Sequence, residues 1–204
     1  PYSDVPGLAI VAEARDGADA SELLALDVER VVVGDLDGLT AALAQAPAGP
    51  GPIVEVALTG ELATWLLEHP EQVAPWRAAD RLVARLPNFE YLSETQANGV
   101  GPAVLRSLAA AGFRLMNVAP CIGGERTEPA RHYEVSRELL DADGNLMVSP
   151  YVHRYVVGEY YKKSLRCRTC PAFDGCEGMH INFLRAHGFK TLQPLPGAVA
   201  ASAS

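Results

Sequence analysis

The sequence predicts an α/β fold in which a parallel sheet of repeated strand–helix units, arranged like part of a barrel, precedes a small β-hairpin and helix module. Short apolar runs alternate with amphipathic stretches over the first 120 residues. Of the 204 residues, 49% are hydrophobic and 21% are charged, which is the composition of a globular chain with a substantial core. We expect an α/β domain at residues 1–120, a cysteine-containing module at 121–195 and a flexible tail at 196–204.

Five apolar segments of strand length alternate with helical segments before Cys121. The predicted strands are 8–11, 30–33, 53–58, one of 81–86 and 89–92, and 113–118. The predicted helices are 20–26, 36–46, 61–68, 70–76 and 100–111. Short apolar strands separated by helices are typical of a parallel sheet that helices cover. Because the last strand runs into Cys121, this cysteine is expected at the carboxyl edge of the sheet, where parallel sheets carry their sites.

The C-terminal part of the sequence predicts a smaller unit. Residues 139–148 place a Gly144–Asn145 turn between two apolar runs, which favours a hairpin over a calcium-binding loop. Residues 151–163 form an amphipathic, tyrosine-rich stretch that predicts a helix. A second helix is expected at 177–187, with His180 near its start.

The four cysteines are the main chemical signal of the sequence. Cys167, Cys170 and Cys176 form a C-x2-C-x5-C group, whose longer spacer contains a proline and a glycine that can bend the chain around an inorganic core. With Cys121 they supply four thiolates, the ligand number of a [4Fe-4S] cluster and of a structural Zn2+ site. Because structural zinc sites usually pair two short clips of ligands, this three-plus-one spacing favours the cluster and leaves zinc as the alternative.

Two other uses of cysteine fit the sequence less well. A disulfide framework is typical of small exported chains, whereas this chain is long enough to build its own core and shows no export-signal pattern. A thioredoxin-like pair would open a helix after an early strand, whereas Cys167 and Cys170 lie late in the chain, beside proline and glycine. A reducing, cytoplasmic compartment is therefore expected.

Residues 167–180 resemble C-x2-C-x5-C-x3-C, the central motif of the SPASM extension at the C-terminus of many radical SAM enzymes, with His180 in place of the last cysteine. The shorter twitch domain of the same family holds one auxiliary [4Fe-4S] cluster. Both have a cysteine after the barrel, usually as Gly-x4-Cys and followed by a hairpin, but Met116 stands five residues before Cys121 here. The resemblance covers about 121–194. His180 is expected to be a hydrogen-bond partner rather than a ligand.

One element of that family is missing from this sequence. Radical SAM enzymes hold the cluster that cleaves S-adenosylmethionine in C-x3-C-x2-C near the first strand, and no cysteine precedes Cys121 here. Taken alone, the chain is therefore not expected to cleave S-adenosylmethionine. The segment Gly34–Gly38 matches neither of the glycine-rich phosphate-loop patterns. Because Pro1 stands where an initiating methionine would, we expect a processed chain or a piece of a longer protein.

The resemblance implies that the chain works with a radical SAM subunit, or within a longer radical SAM enzyme, on a peptide or a small molecule. It would position that substrate or pass electrons through an auxiliary cluster. From the residues alone, a stand-alone electron carrier and a zinc-stabilised binding or scaffold domain stay open. Whether the chain is itself an enzyme stays open too.

Charge and hydropathy argue against two classes of partner. A formal net charge of −8 and an isoelectric point near 5.1 disfavour nucleic-acid binding, which needs a basic face. No apolar run is long enough to span a membrane. Glu55, Glu90 and Glu94 lie on or just past predicted strands and could line a cleft, although solvated or capping roles are commoner for such residues.

Overall fold

The computed structural model describes residues 11–26, 28–45, 51–129 and 137–196. Within these ranges the chain forms eight β-strands and nine α-helices. The strands are β1 Val11–Glu13, β2 Arg30–Val33, β3 Ile53–Ala57, β4 Leu82–Arg85, β5 Arg114–Met116, β6 Thr127–Glu128, β7 Tyr161–Lys162 and β8 Met179–His180. The helices are α1 Gly17–Leu24, α2 Leu36–Leu43, α3 Gly60–Glu68, α4 Pro70–Ala78, α5 Leu92–Asn98, α6 Pro102–Ala110, α7 Pro120–Gly123, α8 Val148–Gly158 and α9 Ile181–His187.

The first six strands form one sheet in which every neighbouring pair is parallel and the spatial order follows the chain order. A right-handed connection to the next strand always returns on the same side, so this order places the connecting helices on one face. The predicted α/β class, with a parallel sheet of strand–helix units, is confirmed. Strands β7 and β8 form a separate antiparallel pair.

The two faces of the large sheet differ in character because successive side chains of a strand point to opposite sides. One face is apolar and is buried in a single core with side chains of the covering helices. The strand residues of this core are Val31, Val33, Val54, Val56, Leu82, Ala84 and Leu115. Charged residues occupy the alternate positions, and they are Arg30, Glu55, Arg85, Arg114 and Glu128.

The charged side chains pair with one another across the strands. Arg85 Nε lies 2.6 Å from Glu55 Oε1, and Arg114 Nε lies 2.7 Å from Glu128 Oε1. Arg30 approaches both carboxylates, at 3.6 Å from Glu55 Oε2 and 3.0 Å from Glu128 Oε2. Because Glu55 is only 2% exposed, the guanidinium groups offset the loss of water around its carboxylate.

The ion pair between Arg30 and Glu128 also reports the shape of the sheet. These residues lie on β2 and β6, which are four strand spacings apart in the sheet order. In a flat sheet that separation is roughly 19 Å, further than the two side chains can span at 3.0 Å between their charged atoms. The sheet therefore curls around its charged face, as expected for part of a barrel.

The prediction that one of 81–86 and 89–92 is the fourth strand is confirmed, because β4 lies at Leu82–Arg85. Residues 89–91 lead into α5, a short helix that the sequence analysis missed. Glu94 fixes its start, because the Tyr91 N–H donates to Glu94 Oε2 at 3.1 Å. The final helix begins at Ile181 rather than 177, since the two preceding residues pair with β7 as strand β8.

Other predictions differ from the structure in extent. The predicted hairpin at 139–148 is reduced to one antiparallel bridge between Leu140 and Leu146. The first strand is Val11–Glu13 instead of 8–11, whose first three residues lie outside the described residues. The helix predicted at 151–163 is α8, which ends before β7.

The C-terminal segment packs on the same core as the sheet. Met179, Phe183 and Leu184 join the apolar cluster that the strands and covering helices form. The sheet itself continues past Cys121 through β6, a strand that the sequence analysis missed because it is only two residues long and polar. The division of the chain at residue 120 stays a prediction. In the described part of the chain, no helix is long and apolar enough to cross a membrane.

The charge pairs of the curled sheet predict that losing a buried carboxylate destabilises the fold more than losing a half-exposed one. Replacing Glu55 by alanine should lower the free energy of unfolding by about 3–5 kcal/mol, because Arg85 and Arg30 are left without their buried carboxylate. The control is Glu29→Ala, which removes a half-exposed carboxylate 3.8 Å from Arg30 and should cost less than about 1 kcal/mol. Urea denaturation of both variants measures the difference, and equal effects would contradict the role given to Glu55.

Candidate metal centre

All four cysteines line one small pocket, whose volume is about 20 Å3. Cys121 lies in the first turn of α7, directly beyond β5. Cys167 lies within the 3-10 turn Leu165–Thr169, and Cys170 directly follows that turn. Cys176 lies just before β8. The structure thus brings the distant cysteine and the C-x2-C-x5-C group to the same place.

A sharp turn after β5 delivers Cys121 to this pocket. Asn117 has a φ of 63°, in the left-handed region that asparagine tolerates better than most residues, and its Nδ2 donates to Leu86 O at 2.9 Å. Two residues later, the Ala119 N–H points at Met179 Sδ, 3.1 Å away. The chain therefore leaves the carboxyl edge of the sheet and turns toward the strand that follows Cys176.

The loop that carries the other three cysteines is pinned by close backbone contacts. The Cys170 N–H donates to Cys167 O at 2.9 Å, which closes the turn between these two residues. Gly178 has a φ of 90°, and a Cβ at this position would lie 2.1 Å from Lys162 O. Only glycine fits there. The Gly178 N–H in turn donates to Cys176 Sγ at 3.3 Å.

The pocket has the chemistry of a soft metal site. Besides the four thiols its wall is mainly apolar, with Ala172, Phe173 and Leu192 among the residues that line it. Among the described residues that line it there is no carboxylate. A set of four sulfur ligands without hard oxygen donors fits an iron–sulfur cluster or Zn2+ rather than Mg2+ or Ca2+.

Burial in the pocket disfavours the thiolate form of two of the four cysteines. Burial raises the pKa of the Cys121 and Cys176 thiols. Two backbone N–H groups act in the opposite direction and lower these pKa values, that of Gln193 at Cys121 and that of Gly178 at Cys176. Such N–H groups are also the contacts that stabilise added negative charge on ligating sulfurs.

The sulfurs share a pocket but are not gathered around one point. Among the described residues, no group of three or more His, Cys, Asp and Glu side chains is arranged to hold a single metal ion. The convergence of the four cysteines on one metal centre stays a prediction.

His180 is a hydrogen-bond partner in the structure. It is 2% exposed, its Nε2 lies 2.6 Å from Val156 O, and its Nδ1 lies 3.4 Å from the Asn182 N. A carbonyl only accepts, so the proton is on Nε2 and Nδ1 accepts the Asn182 N–H. Burial lowers the pKa of His180, which favours this neutral form. The side chain holds α8 against β8 and does not line the cysteine pocket.

The three glutamates have different roles. Glu55 is buried in the charge pairs of the sheet, and Glu94 caps α5. Glu90 Oε2 lies 2.8 Å from His153 Nδ1 on α8. Only Glu55 borders a cavity next to the cysteine-bearing segment.

That cavity, which we call the polar cavity, has a volume of about 260 Å3 and lies on the charged face of the sheet. Its polar lining includes Glu13, Arg85, Asn88, Asn117 and Tyr161. The sequence analysis missed all five, although asparagines that follow β4 and β5 are a usable signal, since they come at the carboxyl ends of parallel strands.

Tyr161 closes the polar cavity from the side of the cysteine-bearing segment. Its hydroxyl accepts a hydrogen bond from Asn88 Nδ2 at 2.7 Å. Burial raises the pKa of Tyr161 to about 12, so the phenol is neutral at physiological pH. Its ring stands edge-on to His180, with the ring centroids 5.9 Å apart.

A pocket of about 170 Å3, which we call the connecting pocket, lies between the polar cavity and the cysteine pocket. It shares Asn117 and Tyr161 with the polar cavity, and Cys176 and Gly178 with the cysteine pocket. Three neighbouring spaces that share wall residues thus lie between the cysteines and the charged face of the sheet, and Cys176 borders two of them.

A scan of the chain against protein-family models and comparisons with curated proteins and solved structures give no match. The functional argument therefore depends on the site itself.

The close approach at Gly178 predicts a sensitive position. Changing Gly178 to alanine should lower the free energy of unfolding by about 1–3 kcal/mol or more. The new Cβ would collide with the backbone of β7, and residue 178 has a positive φ. It should also reduce the metal bound by the purified chain. Gly175→Ala is the matched control, since a Cβ there meets open space. Denaturation curves and metal analysis of both variants test this, and equal behaviour would contradict it.

Proposed function

We propose that this chain is an iron–sulfur protein of SPASM/twitch type, which binds one auxiliary [4Fe-4S] cluster through Cys121, Cys167, Cys170 and Cys176. The observation that carries the proposal is that these four cysteines line one mainly apolar pocket although 45 residues, 122–166, separate the first from the second. Four thiols with apolar surroundings match the ligand set of such a cluster.

The proposed setting is a radical SAM system, in which the chain is an accessory subunit or the C-terminal part of a longer enzyme. The sequence resemblance at residues 167–180 supports this setting. Because this sequence lacks C-x3-C-x2-C, another polypeptide segment would supply the cluster that cleaves S-adenosylmethionine in that setting. The substrate of the system would be a peptide or a small molecule.

Two roles of the site follow from its neighbours. When bound, the cluster supplies one-electron redox chemistry. The N–H groups of Gln193 and Gly178 stabilise negative charge at the sulfurs, and the apolar wall limits access of water. The connecting pocket leads from Cys176 to the polar cavity, where Arg85 and Asn88 can orient a substrate. These features support substrate positioning or electron relay.

Four thiols also suit a structural zinc ion, so zinc is the alternative metal, in a binding or scaffold domain. An independent electron carrier would use the same cluster without a second protein. The connecting pocket favours a role in a radical SAM system over these two alternatives, because neither a scaffold nor a simple electron carrier needs a polar cavity beside its metal site.

Metal analysis separates iron from zinc. We expect the chain, purified without oxygen or reconstituted with iron and sulfide, to hold about four irons and four sulfides and to absorb broadly in the visible range. Cys170→Ser should lose most of this iron, because a cysteine sulfur is removed from the pocket.

The matched control is Thr169→Ala, which changes the exposed neighbour of Cys170 and should keep its iron. One zinc per chain, without iron or colour, would contradict the cluster and favour the scaffold alternative. Full iron content in Cys170→Ser would contradict the assignment of that ligand.

A further inference from the structure

The solvent-facing side of the cysteine pocket is unusually basic for this chain. Lys162, Lys163, Arg166 and Arg168, which we call the basic rim, lie within seven consecutive positions, 162–168, between the acidic residues Glu159 and Asp174. The whole chain carries 25 acidic and 17 basic residues. Positions 162–168 thus carry a charge of +4 in a chain of net charge −8, and the acidic residues of the same loop, Asp174 and Glu177, follow after Phe173.

Two of its four charges, those of the arginines, are available to a partner. Arg166 and Arg168 are exposed, and neither guanidinium pairs with a carboxylate among the described residues. Lys163 is fixed in place, because its Nζ donates to Phe173 O and lies 4.1 Å from the centroid of the Phe173 ring. The ammonium of Lys163 thereby stays at the mouth of the cysteine pocket, which both residues line.

Exposed apolar side chains lie within the basic rim. Leu165 is 78% exposed and Phe173 is 36% exposed. Leu165 begins the 3-10 turn that contains Cys167, and Phe173 lines the pocket beside Cys170. A small apolar centre surrounded by charge is the usual anatomy of a protein interface.

The cysteine pocket has two different sides. Cys167 and Cys170 lie next to the basic rim and do not line the connecting pocket. Cys176 lines both the cysteine pocket and the connecting pocket. A metal centre held by all of them would have one side toward the solvent and the other toward the polar cavity.

We propose that the basic rim, with Leu165 and Phe173, is the docking surface for a small acidic one-electron carrier protein. Electrons enter the cluster beside Cys167 and Cys170, which lie on the side of this surface. This inference rests on the proposed cluster. In each transfer the reduced carrier loses one electron and the cluster charge changes from +2 to +1, with no bond formed or broken.

Three features favour an acidic carrier protein over other partners. Electron-transfer complexes are small, often below about 1,200 Å2, and a patch of this kind suits that size. Charge complementarity speeds association without requiring tight binding, which suits a partner that must dissociate. A nucleic acid extends well beyond four cations and would meet the repulsion of a chain with net charge −8.

Rapid-mixing measurements test the docking surface. The probe is a reduced, acidic plant-type [2Fe-2S] ferredoxin, mixed without oxygen with the full chain after its cluster has been reconstituted. At low ionic strength, Arg166→Glu/Arg168→Glu should slow cluster reduction by about tenfold or more. The difference should shrink at about 1 M salt, where charges are screened within about 3 Å.

Arg15→Glu/Arg137→Glu makes the same change in net charge at exposed residues outside the rim and should leave the rate within about twofold of the parent chain. Iron content and complete reduction by excess dithionite are measured for every variant, and both should be unchanged. Equal rates of cluster reduction in the two double variants, with intact clusters, would contradict the proposed docking surface. They would not contradict the proposed cluster. Failure of the parent chain to form a cluster would overturn both proposals.

Binding of a single-stranded DNA is measured under the same conditions. We expect it to be weaker than binding of the oxidised ferredoxin. If the DNA binds more tightly than the ferredoxin and Arg166→Glu/Arg168→Glu abolishes this binding, the partner of the surface is a nucleic acid and not a carrier protein.

Discussion

The site depends on a covalent constraint, which is that Cys121 follows the carboxyl end of β5 within a few residues. The position of this sulfur is therefore fixed by the parallel sheet and not by the loop that carries the other three cysteines. The contact of the Ala119 N–H with Met179 Sδ and the burial of Phe183 in the common core bring that loop to the sheet. A metal centre at this point would join the two parts of the chain, and its binding energy would contribute to folding.

The curled sheet places a charged cavity beside that site. Alternating strand residues send apolar side chains to the helices and charged ones to the inner face, where they pair across β2 to β6. The same face continues through Asn88 and Tyr161 toward the pocket that Cys176 borders. The arrangement gives the cysteine pocket one side toward the basic rim and another toward the polar cavity.

Most of the sheet could be predicted from the sequence, because buried parallel strands such as β2 and β3 are short continuous apolar runs. Strand β6 could not, since two polar residues carry no periodicity and their pairing with β5 is a tertiary effect. The cysteine ligands could be proposed from spacing alone, but the polar cavity could not. Its residues come from separate elements, and only the curl of the sheet brings Glu13 and Arg85 to the same space as Tyr161.

X-ray absorption at the iron edge, on the chain reconstituted without oxygen, tests the central claim most directly. We predict a first shell of sulfur alone, at about 2.3 Å, with a second shell of iron neighbours. This is the result expected if cysteine sulfurs alone complete the coordination of the irons and His180 supplies no nitrogen ligand. A first shell that contains nitrogen or oxygen, or the absence of iron–iron scattering, would contradict a [4Fe-4S] cluster held by Cys121, Cys167, Cys170 and Cys176.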